Sequence, residues 1–119
     1  MSKNILNILV VSASSLPLAR KIRDKYQGKT TIYCREADND VEPFTSFEEL
    51  AGDLFDKSEA MVFIGAMGIC VRSIAPYVKS KYTDPAVVCL DSTGKYVVSV
   101  LSGHIGGANE LTHELARLL

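Results

Sequence analysis

The stretch ILNILVV, residues 5 to 11, decides the fold. It is too short for a typical helix and rich in β-branched residues, so it predicts a strand buried on both faces. Strands of this kind favour a parallel sheet, because helices cover both faces of such a sheet. Ser12 to Ser15 then offers helix-capping chemistry, and apolar residues recur at helical spacing until Gly28. A strand followed by a helix is the first predicted unit.

Two more units of this kind follow along the chain. Thr30 to Cys34 predicts a second strand, and the polar residues from Arg35 to Pro43 predict a surface connection. Ser46 begins a capping box, since its hydroxyl can accept the backbone N–H of Glu49, and this predicts a second helix. Ala60 to Ile64 predicts a third buried strand.

The last part of the chain adds a hairpin and a helix. After the turn at Gly65 to Gly68 a helix is expected, which Pro76 kinks or divides. Ala86 to Leu90 and Tyr96 to Leu101 predict two strands of a hairpin, and Ala108 to Leu119 predicts the final helix. This order predicts an α/β fold: a mostly parallel sheet with an antiparallel hairpin member and helices on both faces.

Composition narrows the class of protein. The chain has 119 residues, 47% of them hydrophobic and 23% charged, with a formal net charge of -1, which suits one globular domain over residues 1–119. No basic stripe is present for nucleic acid, and no apolar run approaches the ~20 residues that cross a membrane. Residues 1–4 lack a signal-peptide pattern, so a cytoplasmic protein is expected. The final helical pattern has no capping glycine, which predicts that the natural protein continues into further domains.

Three cysteines, Cys34, Cys70 and Cys89, lie in or beside apolar runs without CxxC spacing. Buried, reduced thiols are therefore favoured over catalytic or metal-binding ones. This usage also fits a reducing compartment.

The stretch SGHIGGANE, residues 102 to 110, is the first candidate site. Its glycines can expose backbone N–H groups to an anion or oxyanion at the start of the last helix. His104 suits a general base, and Glu110 could orient the imidazole or act as an acid. Alternatively, the glycines serve only a tight turn. A metal site of His104, Glu110 and His113 has weak support without an HExxH motif, and a solvent-facing His113 is favoured.

The turn from Gly65 to Gly68, with Arg72 after it, is the second candidate. It lies where open α/β sheets bind ligands, but it is neither GxGxxG nor a Walker loop. Arg72 could clamp a carboxylate or simply be a solvated surface arginine. Asp84 and Asp91 suit turns. With the predicted hairpin, the Asp84 and His104 loops share one end of the sheet, whereas Gly65 and Asp91 lie at the other.

Several motifs carry a family resemblance. Residues 65–69 (GAMGI), 71–72 (VR), 74–76 (IAP), 84–88 (DPAVV) and 101–104 (LSGH) with 106–111 (GGANEL) resemble the cobalt-precorrin-5A hydrolase family, the cobalamin biosynthesis protein G type, in its amino-terminal domain. These motifs run in order from about Val62 to Leu111. Met1 to Glu59 matches only in its general strand–helix pattern.

The resemblance implies an enzyme of anaerobic cobalamin biosynthesis that opens the lactone of cobalt-precorrin-5A, giving cobalt-precorrin-5B and acetaldehyde. No cofactor is expected beyond the cobalt that the substrate carries. The implied partners are the corrinoid, the remaining domains of the enzyme and a homodimer copy. As catalytic residues we expect His104, Glu110 and Asp84. As substrate-binding residues we expect Gly65, Met67, Gly68, Arg72, Ser102, Gly103, Gly106, Gly107 and Asn109.

Two alternatives stay open at this point. One is a tetrapyrrole-binding module without catalytic activity in the same enzyme. The other is an unrelated α/β domain that binds a small ligand such as a nucleotide, against which the absence of a phosphate-binding motif counts.

Overall fold

In a computed structural model that describes residues 5–36, 38–103 and 107–118, the chain forms a five-stranded sheet with helices on both sides. The strands are β1 (Ile5–Val10), β2 (Lys29–Cys34), β3 (Ala60–Ile64), β4 (Ala86–Leu90) and β5 (Val97–Leu101). The helices are α1 (Leu16–Lys25), α2 (Phe47–Phe55), α3 (Met67–Ile74) and α4 (Ala108–Leu118). Short 3-10 turns span Ala13–Ser15 and Ala75–Tyr77.

The strand order is β2-β1-β3-β4-β5. The first four strands are parallel, with Ile8 opposite both Ile32 and Val62, and Val62 opposite Val88. Strand β5 runs antiparallel to β4. The predicted mostly parallel sheet with one antiparallel hairpin member is therefore confirmed.

Two hydrophobic layers enclose the sheet. Alternate residues of β1, including Ile8, pack with Leu16 and Ile22 of α1 and with Leu115 of α4. The opposite face of the sheet packs against α2 and α3. Every residue of β3 and β4 is buried, as expected for strands that helices cover on both sides. Among the described helices, none has the length and apolar character that crossing a bilayer requires.

Local sequence signals set the helix ends. The Ser46 hydroxyl accepts the Glu49 backbone N–H at 3.3 Å, so the predicted capping interaction is present. Helix α3 ends at Ile74 and continues as a 3-10 turn that contains Pro76. The helix divides here because proline lacks an N–H and its ring clashes with the preceding turn. The predicted division of this helix is therefore confirmed.

One polar pair lies inside the apolar layer between the sheet and α2. Asn7 in β1 is 3% exposed and Ser58 is 1% exposed. The Asn7 amide donates to the Ser58 hydroxyl at 2.7 Å, and that hydroxyl donates to the Leu54 carbonyl at 2.8 Å. These two hydrogen bonds link β1 to the end of α2. They also give each of these buried side chains a polar partner.

We expect Ser58→Ala to lower the free energy of unfolding by about 1–3 kcal/mol, because it leaves the Asn7 amide buried without its acceptor. Urea unfolding followed by circular dichroism measures this loss. The double variant Asn7→Leu, Ser58→Ala should recover most of it, since both polar partners are then replaced. Equal urea midpoints for Ser58→Ala and the unchanged chain would contradict this account.

Candidate functional site

The parallel strands end at one edge of the sheet, here called the carboxyl edge. The connection after β1 leads to β2 on one side, whereas the connection after β3 leads to β4 on the other. The carboxyl ends of β1 and β3 thus form the switch point at which open α/β sheets bind ligands. A cleft of about 320 Å³ lies there. Its lining comes from the segments after β1, β3 and β4: Val11, Ser12, Ser15, Ile64, Gly65, Ala66, Asp91 and Ser92.

Gly65 shapes the floor of this switch-point cleft. Its backbone has φ of +152°, and its N–H donates to the Leu90 carbonyl at 2.8 Å. A methyl group on Gly65 would lie 2.3 Å from Cγ2 of Val11, so only glycine lets these two segments come so close. Helix α3 then begins at Met67, without a side-chain cap from Ala66.

Met67, Gly68 and Arg72 lie on the exposed part of α3 at this edge. The Arg72 guanidinium folds back along the helix toward Gly68. A methyl group on Gly68 would lie only 3.5 Å from Nη2 of Arg72. This places a full positive charge beside the first turn of α3. The role of Arg72 as a carboxylate clamp stays a prediction.

Asp91 also lines the switch-point cleft, but its carboxylate belongs to the hairpin turn. It accepts the Thr93 hydroxyl and, at 2.7 Å, the backbone N–H of Tyr96. These hydrogen bonds, that of Thr93 first, lower the pKa of Asp91 below its usual range. The interpretation of Asp91 as a turn former agrees with these contacts.

The opposite edge of the sheet, here called the amino edge, joins two distant motifs. The Ser102 hydroxyl donates to the Asp84 carbonyl at 3.3 Å, so the loops before β4 and after β5 meet as predicted. Asp84 is 7% exposed, and its Oδ2 accepts the backbone N–H of Lys79 at 2.8 Å and of Ser80 at 3.1 Å. This carboxylate orders its own loop, which favours the turn-forming interpretation.

The loop after β5 has a strained backbone. Ser102 has φ of +58°, the one positive φ outside glycine among the described residues. Its carbonyl accepts the Ala108 N–H at 3.1 Å, and the Gly103 carbonyl accepts the Asn109 N–H at 3.0 Å. Two of the first amides of α4 are therefore already paired within the loop. His104 and Gly106 lie outside the described residues.

A cavity of about 270 Å³ lies beside this loop. Gly107 lines it just before α4, Glu110 and Glu114 line it from α4, and Tyr26 and Glu59 lie among the other lining residues. The Asn109 side chain lies close to Gly103, since a methyl group on Gly103 would lie 2.8 Å from Oδ1 of Asn109.

His113 is exposed, as favoured from the sequence. Within the described ranges, no group of three or more His, Cys, Asp or Glu side chains could hold a metal ion.

The Tyr26 hydroxyl donates to Oε1 of Glu59 at 2.9 Å in this cavity. Burial, then the hydrogen bond and charge of Glu59 and the charge of Glu114, raise the pKa of Tyr26. The protonated Tyr26 hydroxyl therefore stabilises the folded state through its hydrogen bond to Glu59. Because the folded-state pKa of Tyr26 exceeds the unfolded value of about 10, this contribution is complete below about pH 10 and is lost as pH rises further.

We therefore expect the urea midpoint of the unchanged chain to fall more steeply than that of Tyr26→Phe between about pH 10 and 12. The phenylalanine variant keeps the ring and removes the ionisable hydroxyl. The other tyrosines are common to both proteins, so their titration cancels in the difference. Parallel curves over this range would contradict the assigned role of Tyr26.

The three cysteines are free and buried, as predicted. Cys70 of α3 and Cys89 of β4 lie in the same apolar layer. The contact with Cys89 and burial raise the pKa of the Cys70 thiol. A protonated thiol is a weak nucleophile, which agrees with a packing role.

The predicted site residues thus divide into two groups. Gly65, Met67, Gly68 and Arg72 lie at the carboxyl edge. Asp84, Ser102, Gly103, Gly107, Asn109 and Glu110 lie at the amino edge. A strand of 5 residues separates the edges, by about 17 Å. The sequence interpretation did not select Arg35 or Ser12, which line cavities at the carboxyl edge, although each directly follows a predicted strand.

Comparisons with known proteins give a consistent result. The family described as Cobalamin synthesis G N-terminal matches residues 49–119. A cobalt-precorrin-5A hydrolase from Priestia megaterium is 38% identical over a compared length of 119 residues. The match covers 94% of this chain and 32% of that protein. A cobalt-precorrin-5A hydrolase from Salmonella typhimurium is 52% identical over 73 residues, which cover 61% of this chain and 21% of that protein.

The fold also matches a solved structure. A crystal structure of a cobalamin biosynthesis protein G homolog from Sulfolobus solfataricus has a TM-score of 0.74 and 25% sequence identity. The match covers 98% of this chain and 35% of that one. The chain spans about a third or less of the length of these relatives.

Proposed function

This chain belongs to the Cobalamin synthesis G N-terminal family, and from that membership we propose that it forms part of a hydrolase that acts on cobalt-precorrin-5A. The proposed reaction opens the lactone of this corrinoid and yields cobalt-precorrin-5B and acetaldehyde. The observation that carries the proposal is the contact of Ser102 with Asp84, because it joins two motif segments, 84–88 and 101–111, into one cluster.

In the proposed mechanism the His104 loop works at the amino edge. His104 takes a proton from water as it attacks the lactone carbonyl, and the Gly106 and Gly107 amides stabilise the oxyanion. Fragmentation of the opened product then releases acetaldehyde. The strained backbone at Ser102 supports this placement, since such conformations cluster at functional sites.

Glu110 is the carboxylate that we assign to proton transfer. It is exposed and lines the cavity that Gly107 also lines. Asp84 is buried, and two backbone amides already occupy its Oδ2. For Asp84 we therefore assign a positioning role, in which it orders the loop whose carbonyl Ser102 contacts.

The proposal also includes a cytoplasmic location and further domains as partners. Three free, buried thiols suit a reducing compartment. The curated relatives are longer, since this chain covers 32% and 21% of their lengths. A homodimer stays a prediction.

The test uses cobalt-precorrin-5A with two proteins. One is this chain, and the other is a chimera in which it replaces the matching third of the Priestia megaterium relative. Acetaldehyde is measured by its coupled reduction with an alcohol dehydrogenase and NADH. Release by the chimera at a rate like that of the relative is expected. A chimera that folds and binds the corrinoid but releases no acetaldehyde would refute the hydrolytic role.

A tetrapyrrole-binding module is the second candidate, favoured by the small share of the relatives that the chain covers. It predicts that the chain binds the corrinoid without releasing acetaldehyde, and that the chimera stays active after changes at His104.

A further inference from the structure

We propose that Arg35 and Arg72 form a binding site for a carboxylate-bearing ligand at the carboxyl edge, separate from the hydrolytic cluster at the amino edge. Both side chains line one cavity of about 310 Å³. The Val11 side chain lines this cavity and the switch-point cleft. The two cavities are therefore neighbours at the carboxyl edge of the sheet.

Arg72 reaches this arginine cavity from α3. Its guanidinium folds back over Gly68, beside the first turn of the helix. The amino end of a helix carries a positive partial charge, so a cation placed there is disfavoured unless an anion joins it. The position of Arg72 thus suits a site that is completed by a negatively charged ligand.

Arg35 reaches the same cavity from the end of β2. The backbone N–H of the preceding residue, Cys34, donates to the Glu42 carbonyl at 3.1 Å, which fixes the start of the loop. The Arg35 guanidinium lies 5.0 Å from the centre of the Phe47 ring and 5.9 Å from that of Phe44. Stacking on aromatic faces orients a guanidinium and leaves its N–H edge free to bind.

The charges around the arginine cavity are not balanced. Arg20 and Arg23 each pair with Asp40, at 2.8 Å and 2.6 Å. Over residues 5–36, 38–103 and 107–118, no ion pair joins Arg35 or Arg72 to a carboxylate. Glu48 lines the cavity as well, and its place in the first turn of α2 is already favourable. Two guanidinium groups therefore face one carboxylate.

The chemistry of the site selects the ligand class. A guanidinium offers two parallel N–H donors that match the two oxygens of a carboxylate. The cavity volume suits one carboxylate arm of a larger molecule or a small free polycarboxylate. Both sources present the same group to Arg35 and Arg72, so the experiment must separate them.

The test is isothermal titration calorimetry of the 119-residue chain with citrate, with cobyrinic acid and with the methyl ester of cobyrinic acid. We expect a carboxylate ligand to bind and the ester not to bind. Arg35→Met and Arg72→Met should each weaken binding about 10- to 100-fold, as the loss of a charged hydrogen bond predicts. Arg117→Met, which removes the same charge from exposed α4, is the control and should bind like the unchanged chain.

Each outcome either supports the proposed site or overturns it. Binding of cobyrinic acid alone identifies a corrinoid arm, and binding of citrate identifies a free polycarboxylate; both support the site. Failure of both ligands to bind overturns it, as does unchanged affinity in Arg35→Met and Arg72→Met. Urea midpoints exclude misfolding, and Arg35→Lys, which keeps the charge but loses the two parallel donors, should bind at intermediate strength. Acetaldehyde release by the chimera tests the amino edge separately, so failure of carboxylate binding at the carboxyl edge would not refute the proposed function.

Discussion

His104→Gln in the chimera is expected to lower the rate of acetaldehyde release about 100- to 10,000-fold, because loss of a general base removes that much acceleration. Glutamine keeps a polar side chain of similar size but cannot take a proton near neutral pH. Binding of the corrinoid should persist, since the substitution changes proton transfer and leaves the glycine amides in place. Stopped assays of acetaldehyde at saturating substrate give the rate, and equilibrium titration gives the affinity.

The matched control is His113→Gln, at the other histidine of this chain. His113 is exposed on α4, and its loss should leave the rate within about twofold of the unchanged chimera. Full turnover by His104→Gln would reject the general base and favour the binding module. Equal losses in both histidine variants would point to damage of α4 instead.

The order of the elements could be predicted because the strongest local signals are also the deepest in the core. Ile8 and Val62 belong to short apolar runs, and in the structure these runs are central, fully buried strands. The turn residues Gly65 and Pro76 then mark where strand gives way to helix and where the helix divides. Burial and backbone chemistry point the same way at these positions, so no tertiary information was needed.

The candidate site could be predicted only in part. The sequence placed Asp84 and Arg72 at opposite ends, because strand direction alone determines which loops share an edge. It could not foresee that Arg35 would share a cavity with Arg72, since that depends on how α2 packs beside α3. Nor could it foresee Asn7 and Ser58, whose buried hydrogen bond joins residues 51 positions apart.

The separation of the edges also bears on the chemistry. Glu59, Glu110 and Glu114 line the amino-edge cavity, where carboxylates can exchange protons but would repel an anionic arm. Arg35 and Arg72 line the carboxyl-edge cavity. The proposed proton transfer and the proposed anion binding therefore have different electrostatic surroundings.

Gly65→Ala is expected to lower the free energy of unfolding by roughly 2–6 kcal/mol, a large part of the stability of a small domain. Two costs combine. The backbone φ of +152° strains any residue with a Cβ. In addition, the new methyl group would lie 2.3 Å from Cγ2 and 2.8 Å from Cβ of Val11, inside the floor of the switch-point cleft. Urea unfolding followed by circular dichroism measures the loss.

Gly68→Ala is the matched control, because the same methyl group would there meet only the flexible end of Arg72, at 3.5 Å. As an exposed helical position it should gain up to about 1 kcal/mol from the helix preference of alanine. Val11→Ala combined with Gly65→Ala removes the 2.3 Å contact but keeps the 2.8 Å contact and the strained φ, so it should restore only part of the stability. If Gly65→Ala unfolded at the same urea concentration as Gly68→Ala, the close approach of β1 and β3 would not be what demands glycine at the switch point.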